Sequence, residues 1–261
     1  IGEADIVYEI SVESYSITRF YAIFESSIPN KIGPIRSVRM PFANIAKEWM
    51  LPFVHFGGAN RSGADAYSVV KNANFPIRFD GVGGLNNHFF YRDNARVAPH
   101  NAYFKGADAL EIVNSIEVDR HFTFGATSNL GNQSIDEISI KYANSAPIVY
   151  IYNELTNSYD RFLGNSPFMD AYTNSQVSVT NIILQYADHT TFSSVGYVLV
   201  EDVGKGDAEY FINGRYEKGY WDKKNDTDIT RFYLNNGQEI VLIPGNTWIQ
   251  LISNRVAVSY E

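Results

Sequence analysis

The chain has 261 residues, 45% of them hydrophobic and 15% aromatic, a composition that supplies a real core and excludes a disordered polymer. It contains no cysteine, which removes disulfides, thiolate nucleophiles and thiolate metal ligands together. The formal net charge of -8 argues against a nucleic-acid partner.

ADIVYEISV reads as a strand with Ile6, Tyr8 and Ile10 on one face, and SITRFYAIF as a second, aromatic-rich strand. SSIPNKIGPIR is a loop, because two Pro and a Gly interrupt it. SVRMPFANIAKEWM is helical: Phe42, Ile45, Ala46 and Trp49 share a stripe, and Pro41 suits the first turn. LPFVHFGG predicts a short buried strand, RSGADAYSVVKN a helix behind it, and residues 72–84 a turn-rich stretch. NNHFFYRDNAR fits no single element. PHNAYFKGADALEIVNSIEV contains a helix expected to start after Pro99 and Asn101. The strand-Gly-Gly-helix order suggests an α/β layer.

FGATSNLGNQSID, small and polar, reads as a linker. Beyond it period-two alternation dominates, in ISIKY, PIVYIYN, YDRFLG, VSVTNIILQY, GYVLVED, AEYFING, ITRFYL, EIVLIPG and TWIQLI, with turn signals at NNGQ, NGR and PGN. The expected class is α+β. An N-terminal α/β domain spans 1–124, and a mostly antiparallel β domain spans 125–261. Residues 1–120 hold 12 Lys and Arg against 13 Asp and Glu, and the remainder 9 against 16, so the acidity lies in the second half. The opening IGEADIVYEI is neither a signal peptide nor a start context, and no apolar run is long enough to span a bilayer. The chain reads as the trimmed soluble part of a longer protein.

Three segments carry candidate chemistry. In GPIRSVR, Arg36 and Arg39 lie three apart, a spacing that faces both guanidiniums one way on a helical turn and suits carboxylate or phosphate. The alternative is pairing with Glu9, Glu13 or Asp93. In VHFGG, His55 ends an apolar run before two glycines, where α/β proteins place sites; the alternative is a core histidine held by a backbone carbonyl. In YRDNARVAPHNAY, Arg92, Asp93, Arg96, His100, Asn101 and Tyr103 fall close together. Pro99 would set His100 and Asn101 near a helix start that favours anions.

The histidines form no metal-binding spacing, and no Walker, dinucleotide-binding or GxSxG motif is present, so no metal or cofactor is expected. GVGGLNN reads as a turn. A catalytic carboxylate is conceivable at Glu9 or Asp93. Trp221 and Trp248 either stack on sugars or close a β core.

In chain order, ADIVYEISVES, SITRF, IGPIRSVR, HFGG and RVAPHNAY resemble the YerB-like lipoprotein family of Gram-positive bacteria. YDRF, TNIILQ, GKGDAEYFINGRYEKGYWDK and PGNTWIQL are similar to that family's C-terminal domain. The likeness covers nearly the whole chain. It departs at SVESYSITR, where relatives often carry a more glycine-rich VEGGITR-like segment. The resemblance implies two domains and an extracytoplasmic protein tethered through a lipidated N-terminal Cys, but no activity. Glu9 and Arg19, in the segments that carry it, join the candidate ligand-binding set.

The expected function is an envelope binding or accessory module. A pocket formed by Arg36, Arg39, His55, Arg92, Arg96 and His100 takes an anionic wall component or small anion, and Asn101 and Tyr103 orient it. The alternative is a hydrolase or transferase acting on wall glycan, peptide or phosphodiester, with His55 or His100 as general acid/base. A third possibility is a purely structural salt-bridge network.

Overall fold

The first strand of the chain, Ile6–Glu13, lies beside one from near its far end, Thr247–Ile252, in one sheet. The structure, a computed structural model, describes residues 1–15, 17–84, 86–192 and 196–261. Ser16 in the second expected strand and Leu85 in GVGGLNN lie outside them. The chain is mostly strands, with three α-helices among the described residues. It forms two units: a β unit of residues 1–25, 121–225 and 230–261, and a helical unit of residues 26–120 and 226–229.

By contacts the first 25 residues belong to the β unit, although they precede the 124/125 division expected from the sequence. Strand Ile6–Glu13 is buried on both faces, through Val7, Tyr8, Ile10 and Val12. Such a strand needs a neighbour on each edge. Ile17–Ile23 pairs antiparallel on one side and Thr247–Ile252 parallel on the other. Thr247–Ile252 is also parallel to Asn181–Tyr186, so the nine-stranded sheet is mixed rather than antiparallel throughout. The near-continuous apolar runs NIILQY and TWIQLI suit parallel strands covered on both faces.

The hairpin Gly204–Ile212 to Arg215–Lys223 turns at Asn213-Gly214, both with positive φ, as an Asn-Gly turn should. After Glu13, Ser14 and Tyr15 take φ 49° and 58°, the region glycine favours. The turn there has the backbone that the family's glycine-rich version would adopt easily. A six-stranded sheet built on Glu137–Lys141, Ile148–Asn153 and Ser158–Leu163 shares a core with the first sheet, through Ile138, Tyr150, Tyr159, Leu184, Phe211 and Trp248.

The stretch expected to be a linker is laced along the β unit. Gly125 donates to the Leu242 carbonyl, Ile135 to that of Gly214, and Asn129 is bonded to Glu239 and Val241. EIVLIPG contributes isolated bridges rather than a strand.

In the helical unit, α1 (Met40–Trp49) buries the expected stripe, with Pro41 in its first turn and Arg39 at its N-cap. Next come α2 (Ala66–Asn72), capped by the Asp65 carboxylate, and α3 (Gly106–Val113). The last helix starts later than expected, because residues 102–104 are a strand paired with Phe90–Arg92. Strand Phe53–His55 pairs parallel with Arg78–Asp80, which the turn-rich reading missed.

The segment 32–38 joins these small sheets. Ile32 and Ile35 bond to Phe104 and Ala102 on one side, and Val38 bonds to Gly57 and Ala59 on the other. This ladder brings Arg36, His55 and His100, distant in sequence, into one framework. Residues 226–229 return to the helical unit, where Asp226 pairs with Lys47 and the Thr227 carbonyl accepts from Arg120.

Candidate functional site

The ten candidate residues separate into three environments. Arg36, Arg92, Arg96 and His100 lie on an accessible face of the helical unit, with Arg92, Arg96 and His100 exposed. Arg36 Nη1 is 2.9 Å from His100 Nδ1. A guanidinium only donates, so the imidazole nitrogen accepts in this contact. Arg92 is held over the Phe56 ring at 4.9 Å and donates to Asn101 Oδ1 at 2.7 Å. Asn101 Nδ2 donates in turn to the Arg96 carbonyl, fixing the 93–96 turn.

None of Arg36, Arg92 and Arg96 is paired with a carboxylate among the described residues. The nearby carboxylate Asp93 is occupied by Lys31 at 2.6 Å. That bond, with the Ala95 N–H and the nearby charge of Arg96, lowers its pKa.

Two geometric expectations are corrected here. Arg36 and Arg39 do not share a helical turn: Arg36 lies in the extended 32–38 segment, while Arg39 at the α1 N-cap donates to the Ser37 and Val38 carbonyls. His100 and Asn101 do not open a helix, since α3 begins only at Gly106 with Lys105 as its cap. Anion affinity at this face rests on side chains rather than on a helix terminus. Asn101 and Tyr103 are buried. Tyr103 stacks on Tyr91 and lies under Lys31, so both residues position cations and do not touch solvent-borne ligand.

His55 belongs to a second, interior network. Its Nδ1 donates to the Gly57 carbonyl at 2.9 Å, and its Nε2 accepts from Arg78 at 3.0 Å. Burial lowers its pKa, so the ring is neutral. Asp80 completes the network, accepting from the Gly57 and Val82 N–H groups, the Tyr67 hydroxyl and Arg78. Burial opposes its charge, but these donors outweigh it and lower its pKa. Gly57 has φ +65°, and the Val82 side chain lies 2.8 Å from where a Cβ would be. His55 is thus the core histidine of the alternative reading, and with both nitrogens engaged it offers no acid/base function.

Sequence reasoning missed Arg78, Asp80 and Tyr67. The signal was RFDG, a carboxylate ending a strand just before a glycine, hidden inside a stretch read as turns.

Glu9 and Arg19 lie in the β unit, apart from the rest. Arg19 pairs with Glu13 at 3.0 Å. Glu9 is 1% exposed and accepts from Arg161, Gln250 and Thr18. Gln250 also donates to Tyr150 and accepts from Tyr142. The Arg161 guanidinium lies 3.9 Å from the Phe168 ring centroid and 5.0 Å from that of Trp248. Burial works against its charge, while Glu9 and Tyr150 favour it, and its pKa is raised. This enclosed pair fastens the first strand to the β core and is inaccessible to a ligand.

Trp221 and Trp248 are buried, which removes them as sugar platforms. No group of three or more His, Asp or Glu among the described residues is placed to hold a metal ion. No helix among them is long and apolar enough to cross a membrane.

Residues 1–119 match the family described as "Protein of unknown function (DUF3048) N-terminal domain", and residues 138–249 match its C-terminal domain. The chain is 25% identical over 268 residues to "Putative lipoprotein YerB" of Bacillus subtilis (strain 168), covering 99% of this chain and 78% of that one. The crystal structure of YerB protein from Bacillus subtilis shares the fold with a TM-score of 0.79 at 23% identity, over 99% of this chain and 87% of that one. The two matched domains, in order along one chain that aligns with YerB almost from end to end, make this protein a member of the YerB-like DUF3048 family.

Proposed function

We propose that this protein is an extracytoplasmic envelope binding or accessory module whose α/β-layered helical unit holds an anionic wall component on the face formed by Arg36, Arg92, Arg96 and His100. One observation carries the reading. Four carboxylates each have a cation of their own, Glu9 paired with Arg161, Glu13 with Arg19, Asp80 with Arg78 and Asp93 with Lys31. Arg36, Arg92 and Arg96 have no such partner among the described residues. A guanidinium without a carboxylate partner keeps its planar fork of donors available, and a carboxylate or phosphate takes it with paired hydrogen bonds. The name of the Bacillus relative supports a location outside the cytoplasm, on a lipid anchor.

Titration calorimetry with muropeptide and teichoic-acid fragments tests the proposal. A charge-assisted hydrogen bond contributes about 1.5–3 kcal/mol, so Arg36→Ala or Arg96→Ala should weaken binding about ten- to a hundredfold. Variants that bind like wild type would remove the face from the mechanism. The hydrolase alternative is not favoured, because His55 is locked in the core and His100 belongs to a separate network.

A further inference from the structure

The segment expected to be a linker walls an open groove in the β unit. One lobe, about 390 Å³, is lined by Thr127, Leu130, Asn132, Asn157, Asn213 and Arg215. A neighbouring lobe of about 310 Å³ shares Asn157, Asn213 and Arg215 and adds Asp136, Tyr152 and Glu154. Each is within the roughly 300–1,000 Å³ of small-molecule sites.

Four chain segments converge here, and their polar groups are mostly uncharged amides and hydroxyls. The Tyr152 hydroxyl lies 3.2 Å from Asn157 Oδ1 and 3.0 Å from Asn213 Oδ1. The hydroxyl has one proton and donates to one of these amides at a time, and neither amide side chain has another protein partner among the described residues. Arg215 is held against the wall by the Asn132 carbonyl and Ser134 Oγ. The two carboxylates, Asp136 and Glu154, outnumber that single cation, so the groove disfavours an anion. Leu130 and Ile243 supply small apolar patches between the amides.

We propose that this groove binds a neutral, polyhydroxylated ligand, a glycan segment whose hydroxyl or acetamido groups pair with Asn132, Asn157 and Asn213 while its C–H faces rest on Leu130 and Ile243. Sugar hydroxyls both donate and accept, as do side-chain amides, and they need no counter-charge. The site draws on β-unit residues alone and is independent of the cationic face proposed above.

The test uses the whole chain and a neutral N-acetylglucosamine tetramer in millimolar excess. Backbone amide shifts should move in 126–134, 152–157 and 213–215, and inorganic phosphate should not compete. Asn157 and Asn213 both have positive φ, so Asn157→Gly with Asn213→Gly removes the amides without backbone strain. The double variant should bind about tenfold more weakly with an unchanged melting temperature. No shifts in the wild-type chain, shifts elsewhere, competition by phosphate, or equal binding by the double variant would each overturn the proposal.

Discussion

Arginine does opposite work in the two units. In the β unit Arg161 is enclosed with Glu9 and ringed by Phe168, Trp248, Phe20 and Tyr150. In the helical unit Arg36, Arg92 and Arg96 face solvent with no carboxylate partner among the described residues. The charge balance follows the same line. The helical unit holds 11 Lys and Arg against 10 Asp and Glu, and the β unit 10 against 19. The more acidic unit encloses Arg161 in its own core, while the nearly neutral unit displays Arg36, Arg92 and Arg96. Removing Arg161 should therefore cost stability, and removing Arg36, Arg92 or Arg96 affinity.

The largest effect belongs to the buried pair. Arg161→Ala leaves Glu9 charged and enclosed, and urea unfolding should show a loss of about 3–5 kcal/mol. Replacing both partners, as Glu9→Met with Arg161→Met, should recover much of it, because two apolar side chains need no compensation. A double variant no better than Arg161→Ala would mean that the pair does more than neutralise itself.

His189 gives the next effect. It is buried, with neither ring nitrogen partnered among the described residues, and burial lowers its pKa to about 4 despite the neighbouring Asp188. The unfolded chain, with a histidine near pKa 6.5, binds the proton more readily. Stability is thus whole above pH 6.5 and declines as pH falls toward 4, by roughly 2–3 kcal/mol. A pH series of melts on wild type and His189→Phe measures this. If both decline alike over that window, the loss comes from other groups.

Asp80→Asn comes third. It weakens the bonds that hold the Gly57 and Val82 turns and Arg78, and should destabilise by about 1–3 kcal/mol while leaving the cationic face chemically intact. The smallest stability effect is expected for Arg96→Ala, within about 0.5 kcal/mol for an exposed residue, although its binding effect is among the largest.

Local patterns were a good guide to local structure. The Phe42, Ile45, Ala46 and Trp49 stripe is the buried face of α1, and the ISIKY and PIVYIYN alternation became strands whose buried residues are Ile138, Ile140, Ile148 and Tyr150. Pairing between chain ends was not legible. Nothing in IVYEISVE announces that TWIQLI will lie parallel beside it, because parallel neighbours share no turn. That pairing moved Glu9 from candidate ligand to core. The linker reading failed for a related reason: small polar residues suit a free tether and a strand-hugging segment equally well, and only the bonds to Leu242, Gly214 and Glu239 separate them. At the face, residue types were legible from the clustered Arg and His. Their arrangement was not, since the 32–38 ladder that joins Arg36 to His100 is long-range.

The contrast between the two kinds of arginine can be read in one spectrum. Arginine side-chain resonances of the whole protein would be followed by NMR while a soluble phosphodiester wall polymer is added. The signals of Arg36, Arg92 and Arg96 should move in a saturable way, and that of Arg161 should stay fixed. Stationary signals for the first three, or equal movement of all four, would contradict the account.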